Sequence, residues 1–396
     1  MLRGLAVTIA ALFSVATLRA QSIEQRVVAA DTITYHYTPI DQTSRAQTGI
    51  ERFGLRLNDY LAYDESGPRK VRFSAVGGPA YSLSTGWRLS ALATLRYRTD
   101  GAPRAHALSL GGSASLKGCY DVRLDGKNYI GERHSIAYGG EFSLDRGYLY
   151  GLDYATSAAG AYGVHTMRNY GAYVHYQFYA TKRLTLGLKG DYVNRQLVGA
   201  DGVAEAMLEG RAERYSAFGV GVDVRYSTVR TEGINLSRGV VLAVEYGFYP
   251  ARLNSAARGV HEMSVLVDWY QPLWRGGLLA LDVYGEYRSQ ETPWMCRSML
   301  GGDSRMRGYY RGRFGGNVLA TAQVELRQRV WEGLVVAGWG GCGSALASSE
   351  KFDPKMLLPT YGLGIRWYFN PRSLVRIDYG FGRDSRALIV GYSEAF

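Results

Sequence analysis

The sequence predicts an all-β protein, a transmembrane antiparallel β-barrel of about sixteen strands with one long loop folded inward. Three observations predict it. Period-2 alternation of apolar and polar residues dominates from about Lys70 onward. The composition is rich in Tyr (31) and Gly (50) and poor in the Glu and Lys that fill exposed helices. The first twenty residues read as an export signal, with Arg3 as the positive start, an apolar core from Leu5 to Leu18, and a small-residue cleavage site at Ala20. That core is too short to cross a bilayer, which takes roughly 20 apolar residues as a helix, and no later segment reaches the length. Any insertion must therefore use strands.

The expected organisation is a signal peptide over 1–20, a short periplasmic segment over 21–69, and a barrel over 70–396. The middle segment is polar, with one helix-like stripe of Ile50, Phe53, Leu57, Tyr60 and Leu61. Strand-like runs start near residues 70, 87, 105, 119, 133, 167, 184, 215, 237, 259, 275, 317, 332, 361, 372 and 386. Leu184, Leu186, Leu188 and Tyr192 alternate with Arg183, Thr185, Lys189 and Asp191; Leu279, Leu281, Val283 and Tyr287 alternate with Asp282, Glu286 and Arg288. A soluble sandwich would turn its charged face to outside water. In a membrane barrel the faces invert, with apolar side chains on lipid and charged ones in the lumen. An even strand count returns both chain ends to the periplasm of a Gram-negative cell.

Charge excludes less than it suggests. The formal net charge of +11 falls by two when Arg3 and Arg19 leave with the signal, and the remaining Lys and Arg are scattered. Nucleic-acid binding needs a clustered patch and is not expected. Cys119, Cys296 and Cys342 show neither paired nor metal spacing, and the six histidines lack paired-ligand spacing, so neither a metal nor any cofactor is expected. Gly338-Trp339-Gly340-Gly341-Cys342-Gly343 fits a GxGxxG pattern but lacks the helix and acid of a dinucleotide site. His134-Ser135 is the weak basis for a barrel hydrolase, with no further catalytic residue beside it. No catalytic residue is assigned. Inward charges such as Glu245, Asp282, Glu286, Arg288, Arg366, Arg376 and Asp378 could select solutes, as in any wide barrel.

Residues 290–316 form a long connection rich in Gly and Arg, of a length that usually carries function. It contains Gly301-Gly302-Asp303-Ser304-Arg305-Met306-Arg307-Gly308-Tyr309-Tyr310, followed on the next strand by Val324-Glu325-Leu326-Arg327. This run resembles the signature of the bacterial surface antigen barrels, the BamA/TamA-type outer-membrane assembly superfamily, whose hallmark is an Arg-Gly-Phe/Tyr tripeptide. Tyr361 to Arg366 and Arg376-Ile377-Asp378-Tyr379-Gly380 resemble that superfamily's closing strands, and Gly219 to Arg225 an earlier one. Tyr392 and Phe396 resemble its aromatic carboxy-terminal assembly signal, on a last strand expected over Leu388 to Phe396.

The resemblance implies a loop folded into the lumen, with Arg307, Gly308 and Tyr309 as its motif and Glu325 as the wall carboxylate that holds Arg307. Alternation independently places Glu325 on the inward face with Thr321, Gln323 and Arg327. A second family carboxylate belongs on the following strand, where Gly341 stands instead, so a weaker lock is expected. The alternative is that Arg307 sits in a solvated surface loop. The 49 residues between signal and barrel are too few and too poor in strand pattern for a POTRA domain, so a POTRA-less member is expected. The implied function is assistance to insertion or transport of protein or lipid at the outer membrane, without enzyme activity. Implied partners are outer-membrane lipid, the barrel assembly machinery that inserts this chain, and other outer-membrane or periplasmic proteins. A passive channel or structural barrel is the alternative, and a hydrolase a more distant one. Glu394, in the apolar register of Tyr392 and Phe396, fits none of these readings.

Overall fold

The computed structural model describes residues 71–396 except 83–85, 100–103, 232–233, 332, 371–372 and 392. The chain divides into two units, Met1–Ser66 and Gly67–Phe396, and every described residue belongs to the second. The signal peptide, the 21–69 segment with its apolar stripe, and Tyr392 lie outside the described residues.

Sixteen long strands run through the described residues in chain order. They are β1 (Val71–Ser82), β2 (Gly86–Tyr97), β3 (His106–Ser115), β4 (Tyr120–Ile130), β5 (His134–Leu149), β6 (Gly163–Tyr179), β7 (Leu184–Ala200) and β8 (Arg214–Ser227). Then come β9 (Ser237–Tyr249), β10 (Val260–Trp274), β11 (Gly277–Arg288), β12 (Val318–Trp331), β13 (Leu334–Leu346), β14 (Leu358–Asn370), β15 (Ser373–Gly382) and β16 (Ser385–Gly391). Each pairs antiparallel with the next, from Val71↔Tyr97 through to Gly382↔Ser385, and a two-residue strand, Arg230–Thr231, adds a rung beside β9. Among the described residues no register joins β1 to β16, so the order of hydrogen bonding has two ends rather than a closed ring.

Burial is inverted relative to a soluble protein. Along β12, Thr321, Gln323, Glu325 and Arg327 are buried, while Val318, Val324 and Leu326 of the alternate positions are exposed. The same holds outside Leu89, Leu188, Val222, Val244, Leu363 and Val390, each exposed on its strand. Apolar groups can face out in this way only where the solvent is lipid. His134 belongs to that outward set. Its Nδ1 lies 2.6 Å from the Tyr176 hydroxyl and its ring stacks on Phe178, while Ser135 is fully buried and bonds Tyr179. The two residues point to opposite faces, so they do not form one site. The GxGxxG run lies within β13, and strand interior offers no phosphate-cradling turn.

The two barrel ends differ. One carries short turns such as 131–133, 180–183 and 275–276, and the other carries the connections 150–162, 201–213, 250–259, 289–317 and 347–357. By that asymmetry the second end faces outward from the cell. Its connections fold inward and pack: Ala204 and Leu208 of α1 (Gly202–Leu208) meet Trp294 and Met295 of the long loop against Tyr215, Tyr249 and Val260 of the wall. Trp294 Nε1 donates to the Ala212 carbonyl at 2.8 Å, fixing the two connections to each other.

Asp201 caps α1, accepting from Ala204 N at 2.9 Å and from Val164 N at 2.8 Å. Those backbone donors favour the charged form and hold its carboxyl below the usual value. A lowered folded value means the cap is at full strength above the ordinary carboxylate range and is lost as pH falls through the lowered value. Asp201→Ala is therefore expected to speed tryptic cleavage at Arg211 at neutral pH. The difference from wild type should vanish in strong acid with an acid-stable protease.

Candidate functional site

The loop between β11 and β12 owes its path to a small hairpin, Ser298–Leu300 paired with Phe314–Gly316, which pins both ends of the tip. Within the tip, Gly301, Gly302, Gly308 and Gly312 have positive φ, as does Met306 at 50°. Gly308 has two reasons to be glycine. Its φ is 116°, and a Cβ there would stand 2.6 Å from the Phe381 carbonyl carbon on β15. Across the contact, a Cβ on Gly380 would stand 2.6 Å from the Arg307 carbonyl oxygen. Loop and wall thus touch backbone to backbone through paired glycines.

That approach delivers Arg307 into the wall. Its side chain is fully buried, donating from Nη2 to Glu325 Oε2 at 2.5 Å and from Nη1 to Asp378 Oδ2 at 2.8 Å. The guanidinium lies 3.7 Å from the centre of the Trp339 ring, a cation–π contact on its remaining face. The Arg307 carbonyl accepts from Thr360 Oγ1 at 2.5 Å. Tyr309 is buried too; its hydroxyl donates to the Pro359 carbonyl at 2.8 Å and accepts from Arg383 N at 2.6 Å. Its ring packs with Leu300, Met306, Phe314 and Leu319. The solvated-loop alternative for Arg307 does not describe this arrangement.

Two sequence expectations need correction. The sequence places the second acid on the strand after β12, where Gly341 stands. In the structure the second carboxylate is Asp378, two strands further on, and Gly341 is crowded, since a Cβ there would lie 2.4 Å from the Ala322 carbonyl oxygen. The sequence also predicts a last strand running from Leu388 to Phe396, with Tyr392 and Phe396 in its apolar register. It stops at Gly391, and the tail turns into the lumen, where Phe396 packs against Tyr270, Leu278 and Ala280. The physical cause is Glu394, whose carboxylate accepts from Tyr368 at 2.5 Å and from Arg366 Nε at 3.3 Å and lies 3.5 Å from Arg327 Nη2. A carboxylate on the lipid face would have no such partners.

Further contacts carry no local sequence signal. Arg305 grips Asp282 with two nitrogens, at 2.8 to 3.0 Å, and lies 4.2 Å over the Tyr284 ring. Gln323 Nε2 bridges the Ser304 carbonyl and Asp282. Behind Arg307, Arg327 and Arg366 both donate to Glu325 Oε1, at 2.6 and 2.9 Å, while Arg366 and Arg376 donate to Asp378 at 2.6 and 2.9 Å. Four buried arginines therefore share two fully buried wall carboxylates. Bidentate and charge-assisted bonds of this kind are the strong ones, and each carboxylate oxygen here has a donor.

Strands β6 to β11 line a chamber of about 480 Å³, with Tyr173, His175, Asp191, Glu262 and Arg288 among the residues around it. There His175 Nε2 lies 2.6 Å from Asp223, and Arg288 bridges Glu262 and Glu286. Of the charges read as inward from the sequence, Asp282, Arg366, Arg376 and Asp378 are committed to the loop and its wall, and Glu245, Glu286 and Arg288 line the chamber. All three cysteines are free.

By sequence, neither a protein-family model nor a curated protein matches the chain. Solved structures do match in fold. BamA from Haemophilus ducreyi lacking POTRA domains 1–3 aligns with a TM-score of 0.58 at 13% identity, over 82% of this chain and 69% of that one. CdiB from Escherichia coli aligns with a TM-score of 0.57 at 13% identity, over 82% and 62%. CdiB from Acinetobacter baumannii gives 0.55 at 12% identity, over 82% and 59%. The chain thus spans about three fifths of the length of the CdiB chains. With its apolar exterior, inward charges and sixteen antiparallel strands, the protein has the fold of a BamA-like outer-membrane β-barrel.

Proposed function

We propose that this barrel assists the insertion or translocation of protein or lipid at the outer membrane, and that it is neither an open porin nor an enzyme. One observation carries the reading: the loop is clamped inside the lumen by Arg307 while the first and last strands lack a shared register among the described residues. A lumen closed by a loop resists free diffusion, and a junction of first and last strands with no shared register among the described residues is a place where another chain can add or pass. Resemblance to the assembly superfamily supports the same reading, although fold alone does not fix function. Its partners would be outer-membrane lipid, the machinery that inserts the barrel itself, and client chains at the seam.

The test is catalysis of insertion. Liposomes containing the folded protein should accelerate the folding of a small unfolded barrel client over empty liposomes, and deletion in the cell should weaken the envelope. Insertion at the empty-liposome rate together with an unaltered envelope would overturn the proposal. A passive channel is the second reading, favoured by the polar chamber lined with Glu262, Asp191 and Arg288. It requires a steady conductance that the first reading does not.

A further inference from the structure

The loop and the carboxy-terminal tail enter the lumen from opposite ends. The loop descends from the end with long connections. The tail follows β16, which starts at the 383–384 turn on that end and runs towards the short-turn end. Both finish on the same two arginines. Arg327 and Arg366 donate to Glu325, which holds Arg307 of the loop, and both also reach Glu394 of the tail. Arg327 additionally donates to a terminal carboxylate oxygen of Phe396 at 3.1 Å and lies 5.2 Å over the Phe396 ring. Phe396 then shares a buried apolar contact with Tyr270, Leu278, Ala280 and Val229, the last from the 228–236 turn at the short-turn end. That turn is itself held by Asn235, which donates to the carbonyls of Gly276 and Arg327.

Charge fixes the sign of the coupling. With loop and tail both seated, Arg307, Arg327, Arg366 and Arg376 face the carboxylates of Glu325, Asp378 and Glu394 and the terminal carboxylate of Phe396. Unseating the tail withdraws both Glu394 and the terminal carboxylate and leaves the four guanidiniums with two carboxylates in a region closed to water. The member that can leave most easily to relieve that excess is Arg307, because it is carried on a loop rather than on a strand. A seated tail therefore favours a seated loop, and by linkage a seated loop favours a seated tail to the same degree.

We propose that the tail and the loop are two straps on one buried charge cluster, so that unseating the tail at the periplasmic end loosens the loop at the outer end. This rests on the seat geometry and not on what the barrel transports. It gives Glu394 a purpose, as the tail residue through which the two ends of the barrel are connected.

The experiment uses the full folded chain and two probes, hydrogen exchange of the amides of 303–310 and release of Phe396 by carboxypeptidase. Glu394→Gln keeps the shape of the side chain and removes its charge. It is expected to speed Phe396 release and to raise loop exchange roughly tenfold, within the range of ordinary site-to-site couplings. Arg307→Gln should in turn speed Phe396 release by a comparable factor. Tyr368→Phe, which removes only the hydroxyl on Glu394, should move both probes in the same direction by less, and it serves if a charge variant fails to fold. Faster Phe396 release with unchanged loop exchange would show two independent straps and overturn the proposal. So would no change in either probe.

Discussion

Glu325→Ala is expected to lower the temperature at which the folded barrel loses its heat-modifiable gel mobility, and by more than any other single substitution in the lumen. The carboxylate is fully buried and serves Arg307, Arg327 and Arg366 together. Its removal leaves buried guanidiniums short of an anion, which in buried pairs typically costs roughly 3–5 kcal/mol. Arg307→Ala should cost less than Glu325→Ala, because the wall arginines then keep both carboxylates compensated. The double variant should be less destabilised than the two single effects added, since once Glu325 is gone Arg307 has lost one of its two anions. An unchanged gel shift in Glu325→Ala would contradict the account of the cluster.

Gly308→Ala should free the loop without touching a charge. The positive φ of 116° disfavours any L side chain, and the new methyl would stand 2.6 Å from the Phe381 backbone. Strain at such positions costs on the order of 1–3 kcal/mol before any steric contact is counted. The loop would have to lift from β15, which separates Arg307 from Asp378. The expected outcome is tryptic cleavage after Arg305 or Arg307 in folded protein, at sites protected in the wild type. Equal protection in both proteins would mean that the backbone contact between Gly308 and Gly380 does not hold the loop.

The strands were legible in the sequence because each must present an unbroken two-residue period to lipid on one side and water or polar groups on the other. Predicted starts at 184 and 237 coincide with β7 and β9. Those at 167 and 361 fall four and three residues late, because β6 and β14 begin with Gly163 and Leu358, outside the regular alternation. The Arg307–Glu325 contact was reachable through the resemblance together with the inward phase of β12. What the sequence hid joins residues across the lumen. Arg305 with Asp282 and Arg307 with Asp378 are 23 and 71 positions apart, and no local period encodes which inward charge meets which. Glu394 was visible only as a break in the apolar register. Read as a polar residue on a lipid-facing strand it had no account, and only the inward turn after Gly391 supplies one.

The central claim, that the loop held by Arg307 closes the lumen, is tested most directly by single-channel conductance of the refolded chain in a planar bilayer, with Arg307→Ala alongside. The wild type should be silent at several voltages, and Arg307→Ala should show long-lived openings. A steady, equal conductance in both proteins would contradict the claim and make the passive channel the better description.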